Sequence, residues 1–169
     1  MSPTHAGRLR DMKFVFALNL PRDASSISFA RGIVGSTMIQ LGVDPDCVYD
    51  VEVAVTEACT NVLKHAEGAR DEYEVEFTID PRRASIRIKD TGRGFDPPSL
   101  ADAHEDMADL HLDPIEEGGR GIMLMRALVD ELEFTSQPEA GTIVHLTKTI
   151  VLSDDSALSR FGNVEAPRV

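Results

Sequence analysis

An α+β domain is predicted from three observations in this chain of 169 residues. One long helix carries clear start and stop signals. Two segments show the alternation and turns of β-hairpins. A further amphipathic helix opens on a cluster of glycines. Together these give the order strand, two helices, hairpin, helix, hairpin, with strands and helices grouped as in α+β domains.

The long helix covers residues 44–68, DPDCVYDVEVAVTEACTNVLKHAEG. Asp44 can cap the first free amides, Pro45 fits the first helical position, and Gly68 suits the exit. At about 100° per residue, Val51, Val55, Ala58, Val62 and Ala66 share one arc and form the core-facing stripe. Glu57, Asn61 and His65 follow at i, i+4 and i+8 and form a second stripe along its edge. A carboxylate and an amide at the margin of an apolar face are costly to desolvate unless something pairs with them. A plain solvated edge is the alternative.

Taken in order, residues 1–12 read as an N-terminal leader. Residues 13–20 (KFVFALNL) alternate poorly, as a strand buried on both faces would, and Pro21 ends them. Asp23 can cap a helix reaching about Leu41, with Ile27, Ala30, Ile33, Val34, Thr37, Met38 and Leu41 on its apolar side and Gly42 at its end. After the long helix, Tyr73, Val75, Phe77 and Ile79 alternate with Glu74, Glu76 and Thr78, the pattern of a strand with one wet face. Pro81, Arg82 and Arg83 turn it into residues 84–89, where Ile86 and Ile88 face inward and Arg87 and Lys89 face water. Period two then places Asp90 on the core side at the strand's end, immediately before Thr91-Gly92-Arg93-Gly94.

The stretch from Pro97 to Glu117 is acidic, proline-punctuated and weakly periodic. So long a loop within a compact domain is either a functional lid or a disordered segment. Gly118-Gly119-Arg120-Gly121 closes it, and a helix follows with Ile122, Met125, Leu128, Val129 and Leu132 inward. Cys59, Met123 and Met125 are expected in the core. Residues 133–136 and 142–151 form the last hairpin, and 152–169 read as a flexible C-terminal tail. The domain is therefore expected at 13–151, with its lid at about 97–121.

A net charge of -12 argues against nonspecific nucleic-acid binding, because a phosphate backbone would be repelled. It permits a basic protein partner, and it obliges any polyphosphate ligand to find local amides, cations or Mg²⁺. Cys47 and Cys59 lie twelve residues apart on one helix. That is about 18 Å along the axis, too far for a disulfide, which needs Cα atoms within about 7 Å. Free thiols fit a reducing cytoplasm. No apolar run approaches membrane-spanning length and the first residues lack the apolar core of a signal peptide, so a soluble cytoplasmic protein is expected.

Four features converge: the Glu57/Asn61 stripe, the strand-end Asp90, the Gly92-x-Gly94 turn, and the glycines opening a helix after a long loop. Glycines at a helix start let backbone amides approach an anion, which the helix dipole also favours. A side-chain amide oxygen suits Mg²⁺. A carboxylate one turn before it can take a proton from water or a hydroxyl. A core-facing aspartate can accept from an exocyclic amine, which selects adenine over guanine. The chain contains no G-x-x-x-x-G-K-[ST] motif, neither glycine cluster completes G-x-G-x-x-G, and no G-x-S-x-G elbow is present. His104 and His111 read as solvated loop residues rather than metal ligands.

The segments TEACTNVLKHA (56–66), DTGRGFDP (90–97) and GGRGIMLMRALVDEL (118–132) resemble the three ATP-binding boxes of the Bergerat-fold (histidine-kinase-like) ATPase superfamily. The short form, without a phosphoacceptor helix or second domain, most resembles the bacterial anti-sigma factor serine/threonine kinases over about residues 14–150. This resemblance implies a two-layer α/β sandwich: a mixed, mostly antiparallel sheet with helices on one face and a long ATP lid. It implies ATP and Mg²⁺ as cofactors. Glu57 would be the general base, Asn61 the Mg²⁺ ligand, and Lys64 a phosphate contact. Asp90 would hold the adenine amine, with Gly92 and Gly94 shaping the pocket floor. Gly119, Arg120 and Gly121 would close on the phosphates, and Thr142 would stand near adenine. His65 matches the first box without a defined role.

The resemblance also implies its partners: a sigma factor, a small anti-sigma factor antagonist as phosphorylation substrate, and a second copy in a homodimer, with no direct nucleic-acid or membrane partner. Two other readings compete, a non-catalytic ATP-binding partner-switch module and a stand-alone ATPase. An intact Glu57 favours the kinase over the first. The absence of a transducer domain or coiled-coil heptads weighs against the second.

Overall fold

The computed structural model describes residues 13–65, 71–90, 117–137, 141–153 and 156. Its elements are β1 (Phe14–Pro21), α1 (Ala24–Gln40), α2 (Pro45–His65), β2 (Glu72–Ile79), β3 (Arg83–Lys89), α3 (Glu117–Leu128), β4 (Glu131–Gln137) and β5 (Gly141–Thr149). The strands form one five-stranded sheet in the order β1-β2-β3-β5-β4. Every neighbouring pair is antiparallel, where a mixed sheet was expected. The reason is topological. The connection through α3 sets β4 one position out from β3, and β5 then turns back into the gap, so both of its neighbours run against it.

The helices cover one face. Phe77, Ile79, Ile86, Ile88 and Leu146 project from the sheet into the same core as Val34 and Met38 of α1, Val51, Val55 and Ala58 of α2, and Met125 of α3. Burying each such side chain contributes about 1.5–3 kcal/mol, so this single apolar layer is the main favourable term in folding. The opposite face is polar. Arg87 pairs there with Glu76 at 3.3 Å, and Ser85 shares a hydrogen bond with His145 Nε2 at 2.7 Å.

β1 departs from its expected environment. It is an edge strand pairing only with β2, and its burial alternates: Phe14, Phe16, Leu18 and Leu20 turn toward the core while Val15 stays 54% exposed. Its poor alternation in sequence reflects apolar residues on the open face, not burial on two faces. Met123 also departs from expectation. It is 49% exposed on α3, whereas Met125 and Cys59 are fully buried.

Asp23 caps α1, its Oδ1 accepting from the Ser25 amide at 2.6 Å. α1 ends at Gly42, whose φ of 80° is the left-handed conformation that glycine adopts without strain. α2 then starts on Asp44, whose Oδ1 accepts from the Asp46 amide at 3.0 Å. The expected exit of α2 at Gly68 lies outside the described residues, as does Ala66. At the last turn, Arg22 donates to the carbonyls of Val62 at 2.9 Å and Leu63 at 3.3 Å, a cation at the negative end of the helix dipole.

The described residues just past β5 pack back onto the α1–α2 turn. The Asp44 amide donates to Val151 O at 2.8 Å, the Ser153 amide donates to Gly42 O at 2.9 Å, and Val43 bridges Leu152. Ser156 is buried against Gly42. Residues 151–153 and 156 therefore form a strap across the α1–α2 turn. The expected leader (1–12) and most of the expected lid lie outside the described residues.

Between α1, α2 and β2 sits a small polar cluster. The hydroxyls of Ser26 and Tyr73 lie 2.8 Å apart, the Ser26 hydroxyl donates to Asp23 O at 2.7 Å, and Tyr73 bonds the Cys59 thiol. Burial pushes the Cys59 thiol up to about 12 and raises the Tyr73 hydroxyl as well.

Candidate functional site

α2 presents two edges beside its buried stripe. Glu52 looks toward α1, where a Cβ on Gly35 would clash with its Oε1. The opposite edge carries Asp50, Glu57 and Asn61 and faces α3. A Cβ on Gly121 would clash with Glu57 Oε2 at 2.7 Å and touch Asn61 Oδ1 at 3.8 Å, so Gly121 faces both side chains and stands closest to Glu57. The expected pair on α2 and the glycine of the downstream cluster thus meet at one place.

The glycine cluster itself is placed differently from expectation. Gly118, Gly119, Arg120 and Gly121 form part of the first turns of α3, which begins at Glu117, and do not precede the helix as the end of a loop. That brings the free amides and positive dipole end of a twelve-residue helix to the Glu57/Asn61 edge. Arg120 is exposed.

A second part of the site lies at the end of β3. Asp90 is only 4% exposed, on the core side as period two required, and its amide donates to Thr142 O at 3.0 Å. Thr142 is buried at the start of β5. Asp90 and Thr142 are thus adjacent across the sheet, where β3 meets β5. Lys64 is exposed on the last turn of α2, one turn beyond Asn61. The side chain of His65, together with Gly92 and Gly94, lies outside the described residues.

One group of residues was not anticipated. Lys148 sits on the core-facing register of β5, donating to Asp50 Oδ2 at 2.8 Å and to the carbonyl of Leu128 at 2.7 Å. Burial opposes its charge, yet the bond to Asp50 and the carboxylates of Asp50 and Asp130 hold its pKa above the ordinary lysine value. The signal was present: Thr142, Val144, Leu146 and Lys148 occupy alternate positions of one strand, so a lysine falls in a core series.

With this geometry in view, comparison with known proteins is informative. The model of the histidine kinase-like ATPase domain family matches residues 20–148, and the chain belongs to that family. Among curated proteins it is similar to the anti-sigma F factor of Thermoanaerobacter sp., at 32% identity over 136 residues covering 79% of this chain and 92% of the other. It is also similar to the serine-protein kinase RsbW of Bacillus velezensis, at 28% identity over 134 residues covering 78% and 82%. Among solved structures, the RsbU and RsbW domains of a Mycobacterium tuberculosis protein match with a TM-score of 0.56 and 18% identity, covering 81% of this chain and 32% of that one. That likeness supports the fold.

The residues fit the ATP that this family binds. A buried carboxylate, an amide oxygen, a carboxylate one helical turn away and a helix N-terminus without a Cβ in its path are the donor set that adenine, a divalent cation and phosphates require. Among the described residues, no helix is long and apolar enough to cross a membrane.

Proposed function

We propose that this protein is an ATP-dependent anti-sigma factor, which sequesters a sigma factor and phosphorylates a serine or threonine on a small antagonist protein. The reading rests on one juxtaposition: Gly121 of α3 against Glu57 and Asn61 of α2. The names carried by the relatives, serine-protein kinase and anti-sigma F factor, support it.

In this reading Asp90 accepts from the adenine amine, with Thr142 beside it. Asn61 holds Mg²⁺. Lys64 and the first turns of α3 (Gly119, Arg120, Gly121) hold the phosphates, while Gly92 and Gly94 shape the pocket floor. Bound ATP supplies the transferable phosphoryl group. Glu57 accepts the proton from the attacking hydroxyl of the antagonist, and the edge of α2 keeps that carboxylate one turn from Asn61. Transfer of this kind relies on positioning and charge stabilisation more than on covalent chemistry by the protein. A homodimer and a cytoplasmic location complete the proposal.

The test is Glu57→Ala with labelled ATP and small antagonist proteins encoded nearby. A positioned general base contributes about 10²- to 10⁴-fold in rate, so transfer should fall by that factor while nucleotide and sigma-factor binding persist. If wild type binds sigma factor in an ATP-dependent manner but transfers phosphate to no partner, the protein is a nucleotide-gated binding module instead.

A further inference from the structure

α3 is held against α2 at both ends, and the two ends are chemically opposite. At its N-terminus Gly121 lies on Glu57 and Asn61. At its C-terminus the last carbonyl, Leu128 O, accepts from Lys148, and Lys148 is itself anchored to Asp50 of α2. α3 therefore runs antiparallel to α2. Asp50 to Glu57 and Gly121 to Leu128 span the same two turns, about 10 Å in each case. A carboxylate stands at the positive end of the α3 dipole and an ammonium at the negative end, and both placements are favourable.

The two ends differ in kind. The Lys148 contact is a fixed structural bond: the side chain is 17% exposed, its bond to Asp50 is charge-assisted, and its backbone belongs to β5. Beside it the Asp130 amide donates to Thr147 O at 2.9 Å, and Asp130 accepts from the Thr149 amide. The Gly121 end is a packing contact, with Met123 and Leu124 of the same helix turned to solvent. A rigid helix fixed at one end transmits any change there to its other end.

We propose that Lys148 is a positioning residue for nucleotide binding: by fixing the C-terminal end of α3 to Asp50, it sets where the first turns of α3 stand relative to Glu57 and Asn61. This rests on the reading of that first turn as the phosphate contact. Among the described residues, the partners of Lys148 are Asp50 and Leu128, neither of them assigned to the nucleotide, so it acts through the helix.

The experiment compares wild type, Lys148→Met and Lys148→Arg in the full chain. Hydrogen exchange of the free protein reads the helix directly. In Lys148→Met, amides at 121–124, which hydrogen-bond within α3, should exchange about two- to thirtyfold faster while β2 and β3 keep their protection, and Lys148→Arg should restore most of the difference. In Mg²⁺-ATP and ADP titrations, ATP affinity should fall within the same range and ADP affinity should fall less, because ADP lacks the terminal phosphate. Unchanged exchange at 121–124 overturns the inference. So does a uniform rise across helix and sheet with an unchanged ATP-to-ADP ratio, which would make Lys148 an ordinary stabilising residue. If wild type binds neither nucleotide, the nucleotide reading fails on its own, and the positioning of α3 is still decided by the exchange of the free protein.

Discussion

Gly121 approaches Glu57 so closely that a single methyl group in place of its hydrogen would lie 2.7 Å from Glu57 Oε2. A side chain at position 121 is therefore admitted only if its surroundings give way. Gly121→Ala must displace either the Glu57 carboxylate or the first turns of α3. A displacement of about 1 Å at a reacting group costs on the order of 10²-fold in rate. Phosphoryl transfer by Gly121→Ala should fall by about that factor while ADP binding changes little, as parallel kinase assays and calorimetric titrations would show. Wild-type transfer by the alanine variant would remove the contact from the mechanism.

Asp90→Ala addresses the other half of the site. A charge-assisted hydrogen bond contributes roughly 1.5–3 kcal/mol, so ATP affinity should fall about 10- to 100-fold, and the preference for ATP over GTP should narrow. Asn61→Ala should instead lose most of the Mg²⁺ dependence of ATP binding. Titrating nucleotide with and without Mg²⁺ separates the two roles, and identical metal curves for wild type and Asn61→Ala would remove Asn61 from the metal site.

The buried thiol predicts an alkaline limb in stability. The Cys59 pKa is raised by burial from 9.0 to about 12 in the folded protein. Below pH 9 both states keep the proton and the native state is at full advantage. As pH rises from about 9 toward 12, the unfolded chain releases the proton and the native protein does not, so stability is lost across that window. Urea midpoints between pH 8 and 11 should therefore decline, and Cys59→Ala should flatten the decline. Native Cys59 should also resist alkylation at pH 8, because the reactive thiolate is scarce and shielded. Rapid labelling before unfolding would contradict this.

Two glycines should respond oppositely to the same substitution. Gly42 has a φ of 80°, and a Cβ there would fall 2.5 Å from the Ser156 backbone, whereas a Cβ on Gly32 meets nothing within 4 Å. Gly42→Ala should destabilise by more than about 1 kcal/mol, and Gly32→Ala within α1 should stabilise by about 0.5–1 kcal/mol. Denaturant melts of the two variants provide the check.

The parts of the fold legible in sequence were those set by local rules. The caps at Asp23 and Asp44, the glycine at 42 and the alternation of β2 and β3 all follow from backbone chemistry within a few residues. For the site, the i, i+4 spacing of Glu57 and Asn61 was visible on one helix, and so was the core-side register of Asp90. Relations between distant segments were not legible. The insertion of β5 between β3 and β4, the open outer face of β1, and the meeting of Gly121 with Glu57 depend on which elements pack together. The partners of Lys148 are not legible for the same reason: Asp50 and Leu128 are 98 and 20 residues away in sequence.

The strap formed by Val151, Leu152, Ser153 and Ser156 has a consequence for synthesis of the chain on the ribosome. These residues and β5 are made after the other described elements, yet they secure the earlier turn between α1 and α2 and fill the gap between β3 and β4. A nascent chain that has emerged only as far as α3 holds β1, the β2–β3 hairpin and both long helices but lacks the strand to which β3 and β4 both pair. Domains generally fold as units during translation, at about 5–20 residues per second. This one must wait for almost its entire described length before its two halves can lock, and until then the inner edge of β3 is open to whatever strand reaches it first.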